Sequence, residues 1–95
     1  MNHDFVRLRL YVAGDSPNSQ QARKNLQAFC EKHLVGCHVL EIVDVLLSLE
    51  QALEDGILMT PALVILSASP LRTVIGTLSD PQVVLNALQL AGIER

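Results

Sequence analysis

Residues 5–45 alternate between two hydrophobic periods, and that switch limits the fold more than any other feature of the chain. Phe5 to Ala13 (FVRLRLYVA) sets arginines between apolar residues and is rich in β formers, so it predicts a strand with one more solvated face. Gly14-Asp15-Ser16-Pro17 breaks that period. Ser16 suits a helix cap, and Pro17 suits the first helical position, where the missing amide hydrogen is not needed. Ala22, Leu26, Phe29, Cys30 and His33 then recur at helical spacing, with Gln20, Arg23, Lys24 and Gln27 on the wet side. Gly36 supplies the stop, because glycine tolerates the left-handed conformation that follows a helix. Cys37 to Val45 (CHVLEIVDV) predicts a second strand, mostly buried. Strand, helix and strand in this order make a βαβ unit, with parallel pairing and a right-handed crossover.

The second half carries shorter signals. Ser48 to Gly56 predicts a short acidic helix or turn. Thr60-Pro61 precedes the apolar run ALVIL, and Arg72 to Leu78 (RTVIGTL) alternates like a short strand. Ser79 and Gln82 stand at capping-box spacing with Pro81 in the first turn of a last helix. Val84, Leu85, Leu88 and Ala91 line its apolar side, and Gly92 ends it. The expected order is βαβ followed by αββα, an α/β fold in the thioredoxin order with Pro61 just before the third strand. At 95 residues the chain is expected to form one domain, residues 1–95, since domains typically span about 50 to 250 residues.

Composition excludes several functions. Seven Lys and Arg stand against ten Asp and Glu, and aromatic residues make up 3%. No nucleic-acid partner is expected from such a chain, which lacks both bulk positive charge and stacking platforms. The longest apolar run, Ala62 to Leu66, falls far short of the ~20 residues that span a bilayer. No basic-then-apolar leader precedes it, so no membrane association and a cytoplasmic setting are expected. Charge is segregated: residues 33–71 hold no Lys or Arg, but Glu41, Asp44, Glu50, Glu54 and Asp55. Such segregation is either a solvated surface or a field that steers a partner.

No catalytic set is present. A thioredoxin-like redox enzyme needs an activated cysteine at the first strand–helix turn, and Ala13-Gly14-Asp15-Ser16-Pro17-Asn18 has none. Cys30, His33, Cys37 and His38 straddle a helix end and a strand start at spacings unlike those of structural zinc sites. Packed cysteines and surface histidines are expected there, with no metal and no cofactor. Asp44, partly buried in a strand, is expected to fix a loop by hydrogen bonding.

Four blocks resemble one family. Leu10-Tyr11-Val12-Ala13-Gly14 with Pro17-Asn18-Ser19 is similar to the opening signature of KaiB, the small circadian-clock protein of cyanobacteria. Val43-Asp44-Val45, then Ile57-Leu58-Met59-Thr60-Pro61 with Leu63, resemble its middle blocks, and Ile75-Gly76-Thr77-Leu78-Ser79 its last. The resemblance implies a non-enzymatic protein that binds KaiC, a RecA-like double-ring ATPase, and shifts its phosphorylation state. It also implies fold switching. A resting tetramer or dimer arranges the second half as βααβ, and it exchanges with a monomer in the thioredoxin-like αββα form that docks on the ring. An alternative is a thioredoxin-like sensory or redox domain.

By the same resemblance, docking falls to Asn18, Arg23, Lys24 and position 41, and the switch to Pro61, Ala87 and Gln89. This chain departs from the family at several of these. Ala87 and Gln89 replace a typical Gly and Asp, Gln21 replaces an arginine, and Glu41 replaces a lysine. Alanine is worth about 1 kcal/mol over glycine inside a helix, which favours the thioredoxin-like form. The lost and reversed charges point to a different KaiC homologue as partner and count against KaiA capture.

Overall fold

The computed structural model describes residues 5–93. Its elements follow the order β1 (Val6–Val12), α1 (Pro17–His33), β2 (His38–Asp44), α2 (Leu49–Glu54), β3 (Ala62–Ile65), β4 (Arg72–Ile75) and α3 (Pro81–Leu90). The second half is therefore αββα. The four strands form one sheet in the order β2-β1-β3-β4. β1 pairs in parallel with β2, while β3 runs antiparallel to both β1 and β4.

Local chemistry sets the element ends. The Ser16 hydroxyl caps α1 by accepting the Ser19 amide, and Pro17 opens the helix. Gly36 lies beyond the helix end with φ 74°, a left-handed conformation that glycine adopts without strain. At α3 the cap is Asp80, which accepts the Gln82 amide at 3.0 Å, and not Ser79 as the capping-box spacing predicts. Pro81 decides this: with its fixed φ it takes the first helical position, which leaves the cap to the residue before it. β4 stops at Ile75 rather than reaching Leu78, because Gly76 (φ 117°) and Leu78 (φ 60°) turn the chain out of the strand.

Each face of the sheet has its own core. On one face Val6, Leu8, Leu10 and Val12 pack with Ala22, Leu26 and Phe29 of α1 and with Val84 and Leu88 of α3. On the other, Tyr11, Val43, Ala62 and Val64 pack with Ala52 of α2 and with Ile57. β1 is thus covered on both faces at its C-terminal end, and Tyr11 is fully buried where the arginine alternation predicts a wetter face. β2 departs the other way. It is an edge strand in which only Val43 is buried, and Val39 is half-exposed. Its apolar content resembles a central strand, but its place in the strand order leaves it one neighbour.

Candidate functional site

The turn from β1 to α1 holds the position where a thioredoxin-like fold would carry redox chemistry. Here it is a hydrogen-bonded turn of Ala13, Gly14, Ser16 and Ser19, held by Asp44. Gly14 has φ 56°, and a side chain there would also meet Leu46 Cδ1 at 3.4 Å. Asp44 Oδ1, at the end of β2, accepts the Gly14 amide at 3.1 Å and the Leu46 amide at 2.9 Å. The carboxylate therefore ties two loops together, as the sequence predicts. Ser19, fully buried, accepts the Ala13 amide at 3.0 Å and the Ser16 hydroxyl at 2.8 Å.

The cysteines lie elsewhere. Cys30 and Cys37 are both buried in the core under α1. Burial, with a smaller contribution from Glu31, pushes the Cys30 thiol up to about 11. A thiol held protonated in this way is a poor nucleophile. His33 packs at a tilt against Phe29 with ring centroids 4.7 Å apart, and His38 Nδ1 lies 2.9 Å from the Leu34 carbonyl. Labelling the native protein with a thiol reagent at neutral pH is expected to be slow at Cys30 and to become rapid on unfolding. Rapid native labelling would revive thiol chemistry.

The other face of the sheet carries a charged cluster. Arg9 on β1 sits opposite Glu41 on β2, and its Nε reaches Glu41 Oε1 at 2.8 Å. Its Nη1 reaches Asp55 Oδ2, just past α2, at 2.9 Å. The Tyr11 hydroxyl donates to the same Asp55 oxygen at 2.6 Å and lies 3.2 Å from the Gln51 carbonyl. Hydrogen bonding to Glu41 is the main reason the Arg9 guanidinium is held more firmly protonated than usual. Burial, and then the Asp55 carboxylate, push Tyr11 up to about 12. This cluster fastens α2 to the two strands that precede it. Arginine alternation shows only that Arg9 and Tyr11 share a strand face. A partner 44 to 46 residues away leaves no local signal.

The residues expected to dock a partner are not gathered on one face. Asn18 is exposed in the first turn of α1, Lys24 is exposed, and Arg23 is half-buried. Glu41 lies on the opposite face of the sheet from α1, because its neighbours Leu40 and Ile42 are the ones packed against the α1 core. The expected switch residues are also dispersed. Pro61 is buried just before β3, after a cis Thr60–Pro61 peptide, and its carbonyl accepts the Gly76 amide at 3.0 Å. In α3, Ala87 packs at the edge of the core and Gln89 is exposed.

Fold and turn together define a thioredoxin-like α/β protein whose usual redox position is filled by a serine-capped turn. Solved structures of similar architecture fit that class. The germline-specific thioredoxin Deadhead of Drosophila melanogaster superposes with a TM-score of 0.72 at 15% identity, over 92% of this chain and 81% of that one. Mitochondrial thioredoxin 3 of Saccharomyces cerevisiae gives 0.68 at 14%, over 90% and 78%. At these identities the likeness concerns the fold alone. Residues 9–90 match the KaiB domain, and the chain belongs to the KaiB family. It is 45% identical over 83 residues to the circadian clock oscillator protein KaiB of Prochlorococcus marinus, covering 87% of this chain and 73% of that protein. To the protein of the same name from Nostoc punctiforme it is 46% identical, covering 87% and 80%.

Proposed function

We propose that this protein is a non-enzymatic clock-type regulator that docks on a KaiC-type ATPase ring and shifts the phosphorylation state of that ring. The observation that carries the reading is an αββα second half in a chain of the KaiB family. In this reading the αββα form is the one that docks, and it exchanges with a resting tetramer or dimer of the βααβ form. Asn18, Arg23, Lys24 and Glu41 contribute to the docking surface, and Pro61, Ala87 and Gln89 to the switch. Gln21 and Glu41 count against KaiA capture and favour a divergent KaiC homologue as partner, and the setting is the cytoplasm. Among the described residues, no helix is long and apolar enough to cross a membrane.

The test is to mix the purified protein with KaiC-type rings and follow co-elution and ring phosphorylation. Binding with a changed rate of phosphorylation or dephosphorylation is the expected result, and no binding to any such ring overturns the reading. Docking competence scales with the fraction already in the binding form. Ala87→Gly costs α3 about 1 kcal/mol of helix stability, so the thioredoxin-like fraction is expected to fall about fivefold relative to the resting form. Paired NMR signals of the two forms measure that ratio, and an unchanged ratio overturns the role of Ala87.

A further inference from the structure

Thirteen large apolar side chains are exposed among the described residues, and six of them crowd into one short stretch: Leu46, Leu47, Leu49, Leu53, Leu58 and Met59. This stretch runs from the end of β2 through α2 to the approach to β3. Leu47 and Leu58 are 84% and 89% exposed, so neither serves the core. Between these side chains lies a cleft of about 220 Å³. Leu49, Leu58 and Met59 form its exposed walls, while the buried Ala52 and Ile57 close it from below. Clustered exposed apolar groups around a cleft mark a surface that is covered in its working state.

Charge specifies the occupant. Residues 33–71 contain five acids and no Lys or Arg. Glu41 and Asp55 are paired with Arg9, and Asp44 is engaged by two loop amides. Glu50 and Glu54 remain, exposed on α2 beside Leu49 and Leu53, and neither forms an ion pair among the described residues. Arg9, the cation nearest α2 on this face, is thus already paired, and the charge left over on α2 is negative and lies next to the apolar cleft. We infer that the α2 face docks a protein segment that inserts one large apolar side chain into the cleft and flanks it with Lys or Arg. The inference rests on the ring-docking function proposed above and assigns this segment to the ring. It places the hydrophobic centre of the contact on α2 rather than on α1, with the paired charges of Arg9 and Glu41 beside it.

Binding of the KaiC-type ring to the wild-type chain, to Leu58→Ser/Met59→Ser, to Glu50→Lys/Glu54→Lys and to Leu90→Ser tests this. Every substituted side chain is exposed, so each variant keeps its core. Leu90 is an apolar control on α3, one of the two helices of the opposite face. The serine pair is expected to weaken binding about tenfold or more, as loss of a central apolar anchor does. The lysine pair is expected to weaken it several-fold and to remove its decrease with added salt. Leu90→Ser is expected to leave binding within about twofold. A ring that ignores the wild-type chain overturns the function proposed above and this partner with it. A ring that binds the wild type and Leu58→Ser/Met59→Ser equally overturns the docking surface alone. Sedimentation covers the remaining occupant: self-association abolished by the serine pair while ring binding persists assigns the cleft to a second copy and overturns the inference.

Discussion

Asp55→Ala is expected to destabilise the folded protein by about 2–3 kcal/mol, the range for removing a charged partner from a largely buried hydrogen-bonded cluster. Asp55 receives two hydrogen bonds at one oxygen, from Tyr11 at 2.6 Å and Arg9 at 2.9 Å, and its side chain is only 15% exposed. The variant leaves Arg9 with Glu41 alone and Tyr11 with a long contact to the Gln51 carbonyl. Because the cluster joins β1 and β2 to the end of α2, the cost falls on the attachment of the second half. Amide exchange should therefore rise most in α2 and least in α1. Chemical denaturation measures the total, and a loss below about 0.5 kcal/mol would show that the cluster is ornamental.

The same cluster has an optical readout, since the chain contains one tyrosine and no tryptophan. Tyrosinate absorbance in the native protein reports Tyr11 alone, and its midpoint is expected near 12 instead of the ordinary 10. Burial is the larger cause and the Asp55 carboxylate adds to it, so Asp55→Ala should lower the midpoint without returning it to 10. The folded state here holds the proton more tightly than the unfolded chain. Its contribution to stability is therefore complete below pH 10 and is lost as the pH rises from 10 to 12. A native midpoint at 10 would contradict the burial of the phenol against the carboxylate.

What could be read in the sequence was local. Ser16-Pro17, Gly36 and the alternating Leu8 and Leu10 placed β1, α1 and β2 within a residue or two, because caps, stops and strand period act between near neighbours. ALVIL marked β3 for the same reason. What could not be read depended on the order of strands. Nothing in CHVLEIVDV tells an edge from a centre, and nothing in Arg9 reveals that its charge is met by acids from two other elements. The surface proposed for docking was the least legible part. The family pattern draws attention to charges on α1 and at position 41, whereas the exposed leucines around α2 read in sequence as ordinary core residues. Seventeen leucines in 95 residues conceal the five around α2 that the core does not use.

Glu41→Lys reverses the charge that faces Arg9, and it is expected to cost about 1–2 kcal/mol. Glu41 and Arg9 are direct partners in the parallel β1–β2 register, so a lysine there faces a guanidinium across the pair. Arg9 cannot swing away freely, because its Nη1 is held by Asp55 and its side chain is only 21% exposed. Glu41→Gln removes the attraction without adding repulsion and should cost less, so the gap between the two variants measures the repulsion itself. Added salt should narrow that gap, since Glu41 is half-exposed. Arg9→Gln combined with Glu41→Lys should be more stable than the sum of the single changes predicts, because the double variant contains no facing like charges. Additive costs would mean that the pair is uncoupled and that Glu41 is free to serve a partner alone. Coupling of about 1 kcal/mol would mean that the acid at 41 is matched to Arg9 within the chain. A lysine placed there by itself would then weaken the sheet edge before it could strengthen any docking contact.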